Sequence, residues 1–404
     1  MQHTAEPTRL PTLVYIVAAG IFLMGTTEFM LAGLLPDVAS DLGVDVTRAG
    51  LLITAFAVGM IIGPPVMALA TLRLPARATL VGALAVFAAG HVVAALSDSF
   101  AVVTVSRVVT ALATGTFWAV GAVVATSVAG PGASARALAV MSGGLSLAVV
   151  AGVPLGTFAS LFTGWRGPFW MLAALALIIG AAVLRLAPVT VGEPRDDVSI
   201  RREVAALRPC RTWAVLAVIV LAQAGFLGMY SFVSPLLTDR TGIPPSLVPV
   251  VLVGFGIGAL VGTAVGGRFG DRHPFAAIGV AVASSATGML ILAVTAQHTV
   301  VAVVMVVLLG ACGLGANPVL IAQTLHHAGG SALASSLATA AFNLGTAGGS
   351  ALAAATLSSS LGVTGPAVLG AVITGSALIP LAVLSARRPS PLEVHPEHEH
   401  VAVA

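Results

Sequence analysis

Charged residues are scarce in this chain: 8% of its 404 residues are Asp, Glu, Lys or Arg, whereas soluble globular domains carry about 25%. Lysine is absent, so all 18 basic residues are arginine. Hydrophobic residues make up 58% of the chain, and its mean hydropathy is +1.05. This composition excludes a soluble globule and predicts a polytopic membrane protein.

Other absences narrow the class of function. The two cysteines, Cys210 and Cys312, are far apart in sequence, so they indicate neither a disulfide framework nor a metal site. The motif GxxxxGK[ST] of ATP-driven pumps is missing. No cluster of metal ligands and no pair of nucleophile and base occurs in the apolar runs, so we expect neither an enzyme nor a cofactor. The arginines lie between apolar runs and form no patch, so nucleic acid is not an expected partner.

Long apolar runs dominate what remains. A run of about 20 residues can cross roughly 30 Å of hydrocarbon as a helix. The sequence contains twelve runs of this kind, at residues 11–35, 49–72, 78–97, 101–128, 136–162, 167–188, 212–237, 247–269, 275–296, 299–324, 332–359 and 363–386. We therefore predict an all-α membrane protein with twelve transmembrane helices.

The predicted helices fall into two groups of six. They form an N-terminal bundle at 11–188 and a C-terminal bundle at 212–386, joined by a polar linker at 189–211. Tails at 1–10 and 387–404 complete the predicted domain organisation.

The distribution of arginine predicts the orientation in the membrane. Most of the 18 arginines lie on one side, which holds both termini and the linker. Arg48, Arg166 and Arg240 lie on the other side, and Arg107 lies within a span. Since cytoplasmic loops carry the excess of basic residues, we expect both termini and the linker to be cytoplasmic in a multi-pass protein of the cell membrane.

The two halves of the sequence repeat at a shift of 199 positions, the difference between Pro36 and Pro235. The same shift superposes Gly43 on Gly242, Gly59 on Gly258, Gly63 on Gly262, Arg73 on Arg272 and Pro75 on Pro274. Repeated halves around a central site are typical of secondary transporters, in which substrate binds near the midplane. Gene duplication in a non-transporting membrane protein is the alternative.

Glu28 is an acid inside the first apolar run. A charge at bilayer depth costs roughly 2.5–3.5 kcal/mol on insertion scales, so such residues usually face a cavity and act on ions or substrates. The alternative is a protonated carboxyl group that bonds to a neighbouring helix or to Thr26 and Thr27. We expect Glu28 to carry a proton.

Arg107 lies in the fourth run, about seven residues from its outer end and thus roughly 10 Å deep, and Glu28 lies roughly 12 Å deep from the same side. Opposite charges at one level would lower each other's burial cost, so we predict a proton-coupling pair. The alternative is that the Arg107 side chain extends to the outer membrane interface and does not pair with Glu28. His91 lies in the same half of the third run and could titrate or simply pack.

A substrate-binding face is predicted from helical spacing and comprises Glu28, Trp118, Gln223, Phe226, Tyr230 and Asn317. Trp118 follows Arg107 by about three helical turns and should point the same way. The three residues of the seventh run share one stripe, and Asn317 interrupts the tenth. A few polar groups among aromatic rings suit a small amphipathic ligand. A single ring in a membrane helix more often packs or faces lipid, so the prediction rests on the set.

This architecture resembles the major facilitator superfamily. Four segments, MGTTEFMLAGLLPDVASDLGV, GPPVMALATLRLPARATL from Gly63, SLAVVAGVPLGT from Ser146 and GWRGPFW from Gly164, resemble its proton-coupled drug-efflux branch and are similar to actinobacterial chloramphenicol-efflux and sugar-efflux proteins. The resemblance covers nearly the whole chain. It implies alternating access by a monomer that exchanges protons for a small, mostly neutral amphipathic compound, with a chloramphenicol-like drug as first choice.

The resemblance also implies roles for two motifs. The inner-gate motif Gly-x-x-x-Asp-Arg, which combines close helix approach with a charged latch, is kept as Gly267, Asp271 and Arg272. Its first copy retains only Arg73, which could instead be a basic anchor. The antiporter signature corresponds to Gly152, Pro154 and Gly156. Two rival functions stay open at this point: a sugar or metabolite exporter of the same fold, and a non-transporting membrane sensor.

Overall fold

The structure is a computed structural model, and it describes residues 10–70, 74–130, 133–187, 207–328 and 332–386. Within these ranges the chain forms helices and short connections without strands. Residues 1–9, the tail 387–404, most of the predicted linker and Arg73 lie outside the described residues.

Six helices form the first half. They are α1 (Thr12–Asp41), α2 (Val46–Ala70), α3 (Ala76–Leu96), α4 (Phe100–Ala129), α5 and α6 (Arg166–Leu186). Helix α5 consists of three consecutive segments: Ser134–Leu147, a π-helical turn at Ala148–Gly152, and Val153–Thr163.

The second half follows the same plan. Its helices are α7 (Cys210–Tyr230), continued by Val233–Pro235 and a π-helical turn at Leu236–Arg240; α8 (Val248–Arg272), preceded by a 3-10 turn at Pro245–Leu247; and α9 (Pro274–Thr295). They continue with α10 in two parts (Thr299–Gly315 and Asn317–His327), α11 (Ala332–Thr356), a 3-10 turn at Gly362–Thr364, and α12 in two parts (Gly365–Ser376 and Leu378–Ala386).

Eleven helices among the described residues are long and apolar enough to span a membrane. The predicted eleventh run forms α11, a 25-residue helix rich in Ala, Gly, Ser and Thr, which is not among those eleven. At 1.5 Å per residue α11 is still about 37 Å long. The predicted all-α membrane fold is confirmed.

Helix α1 is longer than the apolar run that predicted it. The run ends at residue 35, whereas the helix continues through Pro36 to Asp41. Membrane helices tolerate internal proline because neighbouring groups satisfy the freed backbone. In α10 the helix does break, at Ala316, and Pro318 lies in the first turn of the new segment, where its missing N–H costs nothing.

The predicted repeat appears in the packing. Gly43 and Gly242 lie in equivalent connections and have positive φ, 62° and 73°, a conformation that glycine adopts without a steric penalty. A Cβ on Gly59 would collide with Ala111 of α4, and a Cβ on Gly258 would collide with the backbone at Val307 of α10. Thus α2 packs on α4 as α8 packs on α10.

Among the described residues, one cluster of the hydrophobic core joins the two bundles. We call the side where α1 begins and α12 ends the terminal side, and the other the opposite side. The larger cluster of buried residues fills the first bundle and crosses into the second at the opposite side, through residues such as Phe232, Leu237 and Leu252. The terminal half of the second bundle has a separate cluster, which includes Val215 and Leu381.

Candidate functional site

Arg107 on α4 is held inside the first bundle, with 1% of its surface exposed. Its Nη1 donates to Thr27 Oγ1 at 2.9 Å, and its Nη2 donates to the Thr27 carbonyl oxygen at 3.1 Å. The guanidinium carbon lies 4.3 Å from the ring centre of Phe56 on α2, a cation–π arrangement. Arg107 therefore does not extend to the interface, which was the alternative from the sequence.

His91 on α3 completes this network. Its Nδ1 lies 2.8 Å from the Phe87 carbonyl oxygen, and its Nε2 lies 2.8 Å from Thr27 Oγ1. A carbonyl only accepts, so Nδ1 carries the hydrogen, and in the neutral ring Nε2 accepts the hydrogen of the Thr27 hydroxyl. Thr27 thus donates to His91 while it accepts from Arg107, and one hydroxyl connects three helices.

Glu28 follows Thr27 on α1 and lines a small cavity between the two bundles. The cavity measures about 20 Å³, which is room for about one water molecule. Its lining comes from α1, α2, α7, the residue after α7, and α11: Glu28, Phe29, Ala32, Ile53, Leu227, Tyr230, Ser231 and Thr346. The structure thereby brings Glu28 together with Tyr230, a second predicted site residue.

Glu28 and Arg107 lie at the same level because Arg107 bonds to the residue preceding Glu28. The ion pairs that the structure describes are those of Arg166 with Asp41 and Asp98, and none of them joins Glu28 to Arg107, so these two residues are neighbours. Their coupling during proton transfer stays a prediction.

Aromatic rings of both bundles surround Tyr230. Its ring stacks on Phe255 of α8 with centroids 4.6 Å apart and meets Phe29 of α1 edge-on at 6.5 Å. Phe226 also stacks on Phe255, at 6.1 Å. The Tyr230 hydroxyl is buried and has no hydrogen-bond partner among the described residues. A bound ligand could supply that partner.

Gln223 and Asn317 meet as well. Gln223 Nε2 donates to Asn317 Oδ1 at 2.7 Å, which links α7 to α10 where α10 restarts. The other amide atom, Gln223 Oε1, is buried without a hydrogen-bond partner among the described residues. Trp118 is partly buried against the larger core cluster and is not among the residues that line the Glu28 cavity.

The antiporter signature lies directly against the part of α1 that carries Glu28. Gly152 ends the π-helical turn of α5, and Pro154 is the second residue of the next segment. A Cβ on Gly152 would collide with Thr26, and a Cβ on Gly156 would collide with Met30. These glycines let α5 approach α1 on both sides of Thr27 and Glu28.

The predicted inner gate is only partly described. Arg73 lies outside the described residues, and so does the side chain of Asp271, whereas Arg272 is the exposed last residue of α8. Gly267 has open space where a Cβ would lie, so it makes no close helix contact. Its neighbour Gly266 makes that contact with Gly315 of α10, because α8 faces α10 with glycines spaced four residues apart.

Several residues at the site were not predicted from the sequence. Phe29, Phe56, Phe255 and Thr346 belong to four different helices and carry no charge in an apolar segment. Thr27 was considered only as a hydrogen-bond partner for Glu28. Helical spacing relates residues on one helix, so no signal in the sequence could place these side chains beside one another.

Residues 17–334 match the sequence family described as Major Facilitator Superfamily. The chain is 38% identical to the chloramphenicol resistance protein of Streptomyces lividans over 378 residues, which covers 92% of this chain and 95% of that protein. It is 33% identical to the inner membrane transport protein YdhP of Escherichia coli strain K12 over 373 residues, again covering 92% and 95%.

Solved structures share the fold at lower identity. The human organic anion transporter MFSD10 (TETRAN) superposes with a TM-score of 0.66 at 19% identity, covering 92% of this chain and 98% of that one. The peptide transporter POT in complex with alafosfalin superposes with a TM-score of 0.69 at 15% identity, covering 96% and 95%.

Proposed function

The chain belongs to the major facilitator superfamily, and from that premise we propose that it exports a small, mostly neutral amphipathic compound in exchange for protons. It is a multi-pass membrane transporter of small molecules and not an enzyme. The observation that carries the proposal is the position of Glu28, on a cavity between the bundles and beside the network of Arg107, Thr27 and His91.

Proton exchange follows from the neighbours of Glu28. When Glu28 is protonated and neutral, Arg107 keeps its two bonds to Thr27. When Glu28 loses its proton, its charge attracts the guanidinium in a poorly solvated interior, where such attraction is strong. Arg107 then turns from Thr27 toward Glu28, and the contact between α4 and α1 changes with the proton.

Alternating access is supported by the core that the two bundles share at the opposite side. The shared core lies at the opposite side, where Thr54 of α2 and Ser350 of α11 also hydrogen-bond at 2.7 Å. At the terminal side the second bundle keeps a core cluster of its own. With the terminal side in the cytoplasm, as the arginine distribution predicts, this conformation is closed to the outside.

The proposed topology follows the sequence. The protein is a monomer whose bundles, at 11–188 and 212–386, cross the cell membrane. Both tails and the linker at 189–211 face the cytoplasm. This arrangement is tested by placing a single cysteine either in the linker or at position 240 and adding a thiol reagent that does not cross the membrane. Only the cysteine at position 240 should react from outside the cell.

The choice of substrate rests on the aromatic site. Phe226, Tyr230 and Phe255 offer apolar surface, and the unpartnered atoms Tyr230 Oη and Gln223 Oε1 offer hydrogen bonds. A neutral aromatic compound with polar groups fits this combination. The relative named as a chloramphenicol resistance protein supports a chloramphenicol-like drug.

The proton step is tested with Glu28→Gln in purified protein, with chloramphenicol-induced proton release as the measurement. We expect release to disappear, because an amide does not titrate. Asp37→Asn is the matched control, since Asp37 lies on the same helix but is exposed, and it should release protons normally. Normal release by Glu28→Gln would contradict the assignment.

Coupling of Glu28 to Arg107 is tested by a double-mutant cycle on the same proton release. We expect Arg107→Gln and Glu28→Gln to be strongly non-additive, because each removes one member of a single unit. Additive effects would leave Arg107 as a packing residue.

Substrate identity is tested in a host that lacks its own efflux pumps. The chain should raise tolerance to chloramphenicol, and a protonophore should remove that tolerance within minutes. Export of sugars without tolerance to any neutral aromatic antibiotic would favour the sugar or metabolite exporter.

A further inference from the structure

The Glu28 cavity brings together oxygen-bearing side chains of both bundles. Glu28 belongs to α1, Tyr230 is the last residue of α7, Ser231 follows it, and Thr346 belongs to α11. The cavity measures about 20 Å³. A site for one water molecule needs about 10–15 Å³ and two to four polar partners. Both the volume and the lining of the Glu28 cavity meet these requirements.

The Tyr230 hydroxyl is the group at this cavity that most needs a partner. It is buried and has no hydrogen-bond partner among the described residues. The rings packed against Tyr230 are those of Phe255 and Phe29, whose side chains carry no polar atom. A buried hydroxyl without a hydrogen bond costs free energy, and in native structures such groups are commonly satisfied by ordered water.

Ser231 and Thr346 offer acceptors rather than donors. The Ser231 hydroxyl donates to the Leu227 carbonyl oxygen at 2.7 Å, and the Thr346 hydroxyl donates to the Phe342 carbonyl oxygen at 3.0 Å. Each hydroxyl has one hydrogen, which these bonds use, and lone pairs that stay available. The second bundle therefore offers one donor, on Tyr230, and two acceptors.

We propose that the Glu28 cavity binds one ordered water molecule, which joins Glu28 of the first bundle to Tyr230, Ser231 and Thr346 of the second. A water molecule both donates and accepts hydrogen bonds. With Glu28 protonated, the water accepts from Glu28 and Tyr230 and donates to Ser231 and Thr346. With Glu28 ionised, the water donates to the carboxylate and to one of the two hydroxyls, and it still accepts from Tyr230. Tyr230 is satisfied in both states.

The water thereby transmits the charge of Glu28 to the second bundle. When Glu28 loses its proton, the water gives up its bond to Ser231 or to Thr346, so one hydrogen bond fewer joins the bundles at this level. This consequence rests on the proposed proton exchange at Glu28, whereas the water site itself does not. An exported compound that bonds to Tyr230 takes the place of the water.

The test is water-edited solid-state NMR of the full-length protein in lipid bilayers, with carbon-13-labelled tyrosine. The chain has two tyrosines, Tyr15 and Tyr230, so the variant Tyr230→Phe identifies the Tyr230 signal. The measurement is the transfer of magnetisation from water to the Tyr230 ring. Two variants target the site: Ala32→Val fills the cavity, and Thr346→Val removes an acceptor without changing the shape of the side chain.

Each test variant has a matched control outside the cavity lining. Ala39→Val adds the same methyl groups at another buried position of α1. Thr324→Val removes a buried hydroxyl of the second bundle that bonds to the Leu320 carbonyl oxygen of its own helix, at 2.9 Å. We expect the unmodified chain and both controls to transfer magnetisation from water to Tyr230. Thr346→Val should lose part of this transfer, and Ala32→Val should lose it entirely.

The proposal is overturned if Tyr230 receives no magnetisation from water in the unmodified chain, or if the test variants behave as their controls do. Glu28→Gln should keep the transfer, because an amide can both donate to the water and accept from it. Normal proton release by Glu28→Gln, together with that transfer, would contradict the proposed function while supporting the water site.

Discussion

Substitution of Thr27 by valine isolates the hydroxyl that connects three helices. Valine keeps the shape of threonine but removes the oxygen that accepts from Arg107 and the hydrogen donated to His91. A hydrogen bond to a charged group contributes about 1.5–3 kcal/mol, and one between neutral groups about 1 kcal/mol. Thr27→Val should therefore lower the free energy of unfolding by about 2–4 kcal/mol.

Reversible unfolding in mixed micelles measures this change, and the adjacent residue supplies the control. Thr26 is equally buried, but its hydroxyl bonds only to the Phe22 carbonyl of its own helix, at 2.7 Å. Thr26→Val should therefore cost less than about 1 kcal/mol, because that carbonyl keeps its helical bond. If the two variants differ by less than about 0.5 kcal/mol, the reasoning about Thr27 is refuted.

A double-mutant cycle separates the two bonds of Thr27. His91→Phe removes the acceptor while keeping a ring between Phe87 and Phe169. The cycle with Thr27→Val should give a coupling free energy of about 0.5–3 kcal/mol, as residues in one hydrogen-bond network do. A coupling near zero would mean that the His91 bond contributes nothing and that Thr27 acts through Arg107 alone.

Two further predictions concern packing and access. Gly152→Val should lower the free energy of unfolding by about 1–3 kcal/mol, because the valine side chain would collide with Thr26. Gly143 on the same helix has open space where a Cβ would lie. Gly143→Val should therefore change the free energy of unfolding by less than about 0.5 kcal/mol. The pair Thr54→Cys and Ser350→Cys, in a background without native cysteines, should form a disulfide on oxidation, because the native oxygens are 2.7 Å apart. That disulfide should stop export and a reductant should restore it; continued export by the cross-linked protein would contradict alternating access at this contact.

The fold was predictable because its main signal is local. An apolar run long enough to cross the membrane must form a helix, since lipid offers no partner for a free N–H or C=O group. Composition and run length therefore indicated the helices, and their ends agree with the structure to within a few residues at most positions. The clearest difference is at α1, where the apolar run ends at residue 35 but the helix continues to Asp41.

Individual site residues were predictable from the sequence where a charged side chain lies in an apolar segment, because burying a charge there costs free energy. A carboxylate and a guanidinium within apolar runs stand out in any sequence, so Glu28 and Arg107 could be chosen, and the glycines of α5 could be recognised by resemblance. The partners of Arg107 could not be chosen in this way. The sequence favoured Glu28 by charge, and that pairing stays a prediction, while the hydrogen bonds and the ring contact of Arg107 are with Thr27 and Phe56.

The sequence by itself thus determined the class of protein, the number of long helices, the repeat and the two buried charges, because each depends on transfer between water and lipid, residue by residue. Tertiary structure alone decided which side chains meet: Thr27 with His91 and Arg107, Tyr230 with Phe255, Gln223 with Asn317. It also decided that the bundles join at the opposite side. Contacts between helices depend on how the glycines and large side chains of one helix surface fit against another. The spacing of residues along the sequence does not specify that fit.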